Sequence, residues 1–545
     1  MSEALPEPDD VEAIAFPHSP AIALRLAVER GAPGYLSGHD GRISFPELDH
    51  RSNQFANFLA QYKVNAGDRV AALMDNSIAN IVAMLGTIKL GATWAPINTS
   101  FRGEWLRHQL KDSAPAILIV DVAHLEALLA ADEPTLSRIQ VLLHDTGEKS
   151  DRPSAKSEAF SQYLTFPASH LAYEPRPEDI SHLIYTSGTT GRSKGCLVSH
   201  NYLCNYARLL YQNSPRLRHE VLYSPLPLFH LAATAHLVLN LVLGASAHFA
   251  RRFSVSGFWD EIERTQASYI HLMGPMAAMV GAAPDTGAAR RCYGKVRVLA
   301  SAWSSETARK LKERFGIGIS DLRMLGQTEA SFLTSLRGNP RREGTVGLPT
   351  DSFEIRIVDA ADTELRRGQV GEIVYRPLKP DVMFSGYWRD PEASWAKCRN
   401  MWWHSGDFGR QDDDGYVYFS DRGDDRLRRG GENISSFEME QQFLKHPDLS
   451  AVAVHAVPGQ LGDDEVKVVA VLRLGATLSA EALWEWAAPR LPRFAIPRYI
   501  EFRSDLPRNP TGKVLKYQLR KEGVTPDTWD RIAAGVALPS RYSVI

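Results

Sequence analysis

At 545 residues the chain is too long for one compact core, so two or more domains are expected. Its 44% hydrophobic and 23% charged residues are ordinary for a soluble globular enzyme, and a net charge of -2 gives no electrostatic footprint for nucleic acid. Only 4 cysteines occur; Cys196 and Cys204 flank His200 without a second Cys/His pair at zinc-site distance, so free thiols in a reducing cytoplasm are expected.

The opening MSEALPEPDDVEAIAF is acidic and proline-bearing, with neither the basic start nor the apolar run of a secretory signal, which favours a cytoplasmic protein. Residues 70–74 then read as a strand, 78–90 as an amphipathic helix, 116–120 as a buried strand and 122–131 as a helix. Leu183-Ile184-Tyr185 is a short strand running into a glycine-rich loop. The most apolar long stretch, 231–250, holds His236, Asn240, Gly244, Ser246 and His248, so a buried helix leading into a strand is expected, with no membrane span. This alternation predicts an α/β fold with mixed, largely parallel sheet layers. From about Phe353 the runs 355–358, 371–375 and 415–419 look like hairpin strands between Asp/Gly turns, a β-rich subdomain. Beyond the charged, glycine-rich 421–431 come a helix (436–445), strands (451–457 and 466–472), a helix (479–490) and a strand (499–502). These make a small α+β C-terminal domain, and the expected division is 1–421 and 422–545. Little is readable after about Gly523.

The strongest local signal is Tyr185-Thr186-Ser187-Gly188-Thr189-Thr190-Gly191-Arg192-Ser193-Lys194-Gly195. Glycines let backbone approach an anion closely, and hydroxyls with a lysine add donors and positive charge, which is what a polyphosphate needs. Lys194 is followed by glycine, so this is not a Walker loop. A flexible polar surface loop is the bland alternative, disfavoured by so dense a hydroxyl run directly after a buried strand.

Together with ordered signatures from about Ile43 to Arg520, this loop resembles the adenylate-forming superfamily of acyl-CoA synthetases, luciferases and peptide-synthetase adenylation domains. The carboxyl-terminal part is most similar to carnitine- and medium-chain-type CoA ligases. The resemblance implies an ATP-dependent acid–thiol ligase that uses ATP, Mg²⁺ and coenzyme A with a small-molecule carboxylic acid. It also implies a hinged C-terminal domain, and it leaves a homodimer open.

Further roles follow by resemblance. Pro227-Leu228-Phe229-His230 borders the acyl site, for which Ala233, Met273, Trp303 and Ser331 are further candidates; read alone, His230 would be a packed core histidine. Gly326-Gln327-Thr328-Glu329 matches the segment whose threonine contacts phosphate and whose glutamate holds Mg²⁺, a hard cation suited to a carboxylate. Leu325 stands where the family has an aromatic residue on adenine, and covers the ring by apolar contact without stacking. Ser301 and Ala302, before Trp303, depart from the usual Gly-Ala-Pro near the nucleotide. Asp407, in Trp402-Trp403-His404-Ser405-Gly406-Asp407, matches the aspartate that binds both ribose hydroxyls; Phe419 and Arg422 border the same nucleotide. Asp412-Asp413-Asp414-Gly415 reads as a solvated hairpin turn. Asp424 falls at the hinge, and Gly430 and Gly431 at the loop that closes over the pantetheine path. The catalytic lysine maps onto Lys513 in Pro510-Thr511-Gly512-Lys513, with Lys516 fitting less well. Pocket candidates of mixed size and little charge suggest a hydrophobic acid. One rival is a ligase that hands acyl-AMP to a partner enzyme or carrier protein; another is a nucleotide-binding regulator without catalysis. The retained Glu329, Asp407, Arg422 and Lys513 argue against the regulator.

Overall fold

The computed structural model describes residues 14–101, 103–131, 133–144, 157–186, 193–300, 305–318, 324–336, 342, 344–422, 427–429, 432–434, 436–459, 464–491, 495–509 and 512–538. By packing, the chain divides into two compact units. One holds the described residues up to 354 together with 376–396; the other holds those of 355–375 and from 397 onward.

The first unit is built on two sheets. In the seven-stranded sheet the order is Ser157–Ala159, Gln140–His144, Ile117–Asp121, Arg69–Leu73, Thr93–Pro96, Ile180–Tyr185 and Gly195–Ser199. All neighbours are parallel except the last pair, which is antiparallel. Every residue of Ile117–Asp121 is buried, as expected of a central parallel strand covered on both faces. The helix Ile78–Lys89 starts at Ser77, whose hydroxyl accepts from the Asn80 amide and satisfies one of the amides that a helix start leaves open. The expected helix over 122–131 is broken in two, a 3₁₀ turn Val122–His124 and then Leu125–Ala130. The break coincides with His124 reaching Asp75, Nε2 to Oδ1 at 2.9 Å.

The six-stranded sheet runs Val298–Ala300, Tyr269–His271, Val221–Ser224, Ser246–Phe249, Tyr35–Gly38 and Gly41–Ser44, parallel except for its last pair. Leu231–Leu243 is the expected buried helix. It stops at Gly244, whose φ of 67° is the left-handed cap that a glycine adopts without strain, and the chain returns as Ser246–Phe249. Among the described residues no helix is long and apolar enough to cross a membrane.

The second unit holds most of a five-stranded sheet, in which Trp402–Gln411 pairs antiparallel with Gly371–Pro377, Cys398–Arg399 and Val417–Arg422. Asp412 makes the hairpin turn, its Oδ1 accepting from the amides of Asp414 (3.1 Å) and Tyr416 (2.9 Å). A second sheet orders Leu449–Pro458, Asp464–Leu472, Tyr499–Arg503 and Trp529–Asp530, with its own apolar core of Leu449, Val454, Val468, Leu483 and Ile500 among others. By packing, Trp402–Gln411 and Val417–Arg422 group with the C-terminal segment.

Candidate active site

The glycine-rich loop leaves the end of Ile180–Tyr185 and returns as Gly195–Ser199. Its base is closed by Thr186, whose amide (2.9 Å) and hydroxyl (3.4 Å) both donate to the Lys194 carbonyl. Ser187, Gly188, Thr189, Thr190 and Gly191 lie outside the described residues. A segment near residue 386 runs beside the returning strand. Ser385 N–H donates to Leu197 O (2.8 Å), Leu197 N–H to Gly386 O (3.0 Å) and Trp388 N–H to Gly195 O (2.7 Å). This backbone zipper sets Tyr387 between two expected site residues. Its hydroxyl donates to Glu329 Oε1 at 2.6 Å, and Lys194 Nζ stands 5.1 Å from its ring centroid. Burial and then the Glu329 carboxylate raise the Tyr387 pKa far above that of a free phenol, so the residue remains a donor. Lys194 is half-exposed and 3.8 Å from Asp390 Oδ2.

Glu329 and Thr328 are held by backbone contacts. Phe384 N–H donates to Glu329 O, and the Tyr202 hydroxyl donates to Thr328 O, both at 2.9 Å. Just before them, Gly326 and Gln327 pair with Phe332 and Ser331. A Cβ on Gly326 would sit 2.2 Å from the Ser331 carbonyl oxygen, so no larger residue fits this hairpin. Ser331 is buried and its hydroxyl has no partner among the described residues, and Leu325 is only 8% exposed.

Of the acyl-site candidates, His230 precedes Leu231–Leu243 and Ala233 lies in its first turn. The preceding loop is pinned by Asn76, a buried side chain the sequence reading missed. Its Nδ2 donates to Leu226 O (2.8 Å) and Ala250 O (3.0 Å), and its Oδ1 accepts from Leu228 N–H (2.8 Å). The Phe229 and His230 rings are 4.7 Å apart. Burial lowers the His230 pKa to about 4, so this imidazole is neutral at physiological pH. Ala233 is fully buried, and Met273, which precedes the helix Gly274–Ala282, is 54% exposed. Ser301, Ala302 and Trp303 lie outside the described residues.

The second unit carries the remaining candidates. Asp407 pairs with Arg422 and Gly409 with Phe419 across antiparallel strands. Asp407 is 3% exposed, and its amide donates to Ser405 Oγ at 2.9 Å, which fixes the turn of chain that carries it. Asp424, Gly430 and Gly431 lie outside the described residues. Lys513 sits in a tight hairpin. Asn509 N–H donates to Lys513 O (2.9 Å), Lys513 N–H to Asn509 Oδ1 (2.8 Å) and Leu515 N–H to Pro507 O (2.7 Å). The turn needs Gly512, whose φ of 82° is left-handed. Lys516, by contrast, is tied down, 2.8 Å from Glu440 Oε1 and 2.7 Å from Ser436 Oγ.

Tyr387 is the main functional candidate that sequence reading missed. Gly386-Tyr387-Trp388 was the available signal, a glycine beside two aromatics in a loop.

Residues 18–388 match the family described as "AMP-binding enzyme", and 438–513 match "AMP-binding enzyme C-terminal domain". The crotonobetaine/carnitine–CoA ligase of Salmonella choleraesuis (strain SC-B67) is 28% identical over 487 residues, 88% of this chain and 93% of that protein. The crystal structure of ATP-bound MatB from Rhodopseudomonas palustris superposes with a TM-score of 0.81 at 26% identity, covering 92% of this chain and 98% of that one. The anthranilate CoA ligase AuaEII, in complex with anthranoyl-AMP, shares the fold with a TM-score of 0.84 at 23% identity, covering 96% of this chain and all of that one (100%).

Proposed function

The chain belongs to the AMP-binding enzyme family of adenylate-forming ligases, and from that premise we propose that it is an acid–CoA ligase. In this reading a carboxylate attacks the α-phosphorus of ATP and pyrophosphate leaves; the thiol of coenzyme A then attacks the acyl adenylate and AMP leaves. The first step builds negative charge around phosphorus, and a preorganised cation there stabilises the transition state more than the ground state. Lys194 and the hydroxyl loop serve the polyphosphate, and Lys513 serves the charge developing between carboxylate and α-phosphate. Asp407 and Arg422 hold the ribose. The C-terminal domain then rotates at Asp424, so that Lys513 withdraws and the Gly430-Gly431 loop admits the thiol. An adenylate is a mixed anhydride, so the second step needs little beyond alignment of the thiol.

Mg²⁺ suits Glu329. Tyr387 engages Oε1, which orients the carboxylate, and Mg²⁺ is bound through one or two carboxylates plus substrate phosphates. The ion would neutralise phosphate charge; the protein's part is to hold the glutamate in place.

The observation that carries this reading is the convergence of Lys194 and Glu329 on Tyr387 at the base of the glycine-rich loop. The test is an acid panel assayed for ATP-dependent pyrophosphate release, with and without coenzyme A. Acid-dependent release, with thioester formed only when coenzyme A is present, is the expected result. Release without thioester would move the reading to a ligase that hands its adenylate to a partner. Absence of release with every acid would return the chain to the regulator reading.

A further inference from the structure

The helix Gly103–Ser113 carries none of the expected site residues, yet it holds both ends of the glycine-rich loop. His108 Nε2 lies 2.9 Å from Ser193 O, immediately before Lys194. A carbonyl only accepts, so Nε2 carries the proton and donates, whether or not Nδ1 is protonated. One turn further on, Asp112 Oδ2 accepts from the Tyr185 hydroxyl at 2.7 Å. Residues four apart share a helix face, so one face of this helix meets the outgoing stem at Tyr185 and the returning stem at Ser193. Trp388 Nε1 donates to the backbone carbonyl of Asp112 at 2.9 Å, which ties in the segment that carries Tyr387.

Two features separate this hold from ordinary packing. First, Asp112 stands in the last turn of its helix, where the helix dipole favours cations, so a carboxylate there must be offset by a partner. That partner is Tyr185. Burial and then the Asp112 carboxylate push the Tyr185 pKa far above that of a free phenol, so its hydroxyl remains a donor. Second, the helix is itself anchored to neighbouring parallel strands of the seven-stranded sheet. Arg69, which opens Arg69–Leu73, donates to Ser113 O from Nε (3.1 Å) and to Ala114 O from Nη2 (2.6 Å), at the end where a helix leaves carbonyls open. Gln109 Nε2 donates to Pro96 O of Thr93–Pro96 at 3.1 Å. A support fixed to the sheet can set the separation of two stems; a backbone rich in glycine has too much conformational freedom to do so alone.

We propose that His108 and Asp112 are positioning residues for polyphosphate: through Ser193 and Tyr185 they fix the two stems of the loop, and so place Lys194 and the hydroxyl loop against the phosphates of ATP beyond the first. This deepens the ligase reading above and rests on it. Both residues act through others, and their effect is selective. ATP carries the phosphates that the loop serves, whereas AMP and the acyl adenylate do not.

The test compares ATP with AMP. Calorimetry in the presence of Mg²⁺ gives Kd for each nucleotide without any acid, and ATP–pyrophosphate exchange gives KM for ATP. His108→Phe and Asp112→Ala should each weaken ATP by roughly three- to thirtyfold, the loss of one hydrogen bond, neutral or to a charged group. Affinity for AMP and thioester formation from pre-made acyl-AMP should be little changed. His108→Gln keeps an N–H and Asp112→Asn keeps an oxygen acceptor, so each should recover part of the loss. Tyr185→Phe should reproduce Asp112→Ala, and the two together should weaken ATP no more than either alone, as expected of partners in one contact. Gln109→Leu frees the same helix from Thr93–Pro96 and serves as the structural control, with a lower Tm and an unaltered ratio of ATP to AMP affinity. Circular dichroism separates misfolding from altered binding; should the larger changes unfold the chain, His108→Gln and Asp112→Asn carry the same comparison. ATP and AMP weakened equally in folded variants, or ATP affinity unchanged in them, would overturn the positioning role while leaving the ligase reading intact. Absence of exchange by the wild type with every acid would overturn the ligase reading, and the ratio of ATP to AMP affinity would still decide whether His108 and Asp112 position polyphosphate.

Discussion

At the scale of single residues, the site depends on side chains whose identity matters through one hydrogen bond. Tyr387 holds Glu329 by a 2.6 Å contact from a phenol that burial keeps protonated. Tyr387→Phe deletes one oxygen and leaves the ring under Lys194. Hydrogen bonds to charged groups contribute roughly 1.5–3 kcal/mol. Steady-state kinetics should therefore show kcat/KM for ATP reduced by roughly ten- to a hundredfold, with the thermal midpoint little changed; unaltered kinetics would separate Tyr387 from the glutamate's function. Asn76 acts differently, because it carries no reaction chemistry and makes three buried hydrogen bonds, two to the loop before His230 and one to Ala250 O. Asn76→Ala would leave two carbonyls and one amide unsatisfied. A loss of about 3 kcal/mol in denaturant unfolding is expected, with a raised KM for the acid and a smaller change in KM for ATP. Neither residue stands out in sequence. Lys194 and Glu329 belong to recognisable runs of residues, whereas Tyr387 and Asn76 owe their roles to partners 58 and 150 or more positions away.

At the scale of elements, periodicity located most of the chain, and the exceptions have physical causes. The expected strands at 451–457 and 466–472 are Leu449–Pro458 and Asp464–Leu472, because long β-branched runs specify themselves. The segment after Gly523 carried no pattern, yet it returns to the sheet as Trp529–Asp530, too short a strand to show alternation. Long-range polar contacts hold it. Lys467 Nζ lies 2.5 Å from Glu501 Oε2 and donates to Gly523 O at 2.7 Å, while Thr525 and Thr528 donate to the same carboxylate oxygen at 2.8 and 2.7 Å. Burial alone would raise the Glu501 pKa; hydrogen bonds from Lys467, Arg503, Thr528 and Thr525 outweigh it and hold the value at about 2. The folded pKa is thus below the ordinary 4.5. The network's contribution is complete above about pH 4.5 and lost as pH falls towards 2, on the order of 3 kcal/mol in all. Acid titration of unfolding should show that loss in the wild type and a much flatter profile over the same range in Glu501→Gln. That variant should also be less stable at neutral pH, because Lys467 is left buried without its carboxylate partner.

At the scale of the whole molecule, the sequence made the family legible because its signatures are short runs in a fixed order along nearly the entire chain. The acid was not legible, because no run of residues in the sequence names it. The proposed two-step chemistry adds a requirement that no single arrangement meets: in that reading Lys513 is at the reacting phosphate for adenylation and away from it for thiol attack. A site that takes two arrangements can be separated by substitutions that act on one of them. Lys513→Ala removes a charge needed only while the adenylate forms, so ATP–pyrophosphate exchange should be nearly abolished. Supplied with pre-made acyl-AMP and coenzyme A, the same protein should still make thioester, since that step proceeds with the lysine withdrawn. Gly431→Trp should behave in the opposite way, its indole filling the narrow thiol path while exchange continues. Lys516 supplies an internal control. Bound to Glu440 and Ser436, it braces the C-terminal unit, so Lys516→Ala should lower stability and impair both half-reactions to a similar, smaller extent. Wild-type exchange in Lys513→Ala would remove the lysine from the chemistry, and equal loss of both steps in Lys513→Ala and Gly431→Trp would show that one arrangement serves both.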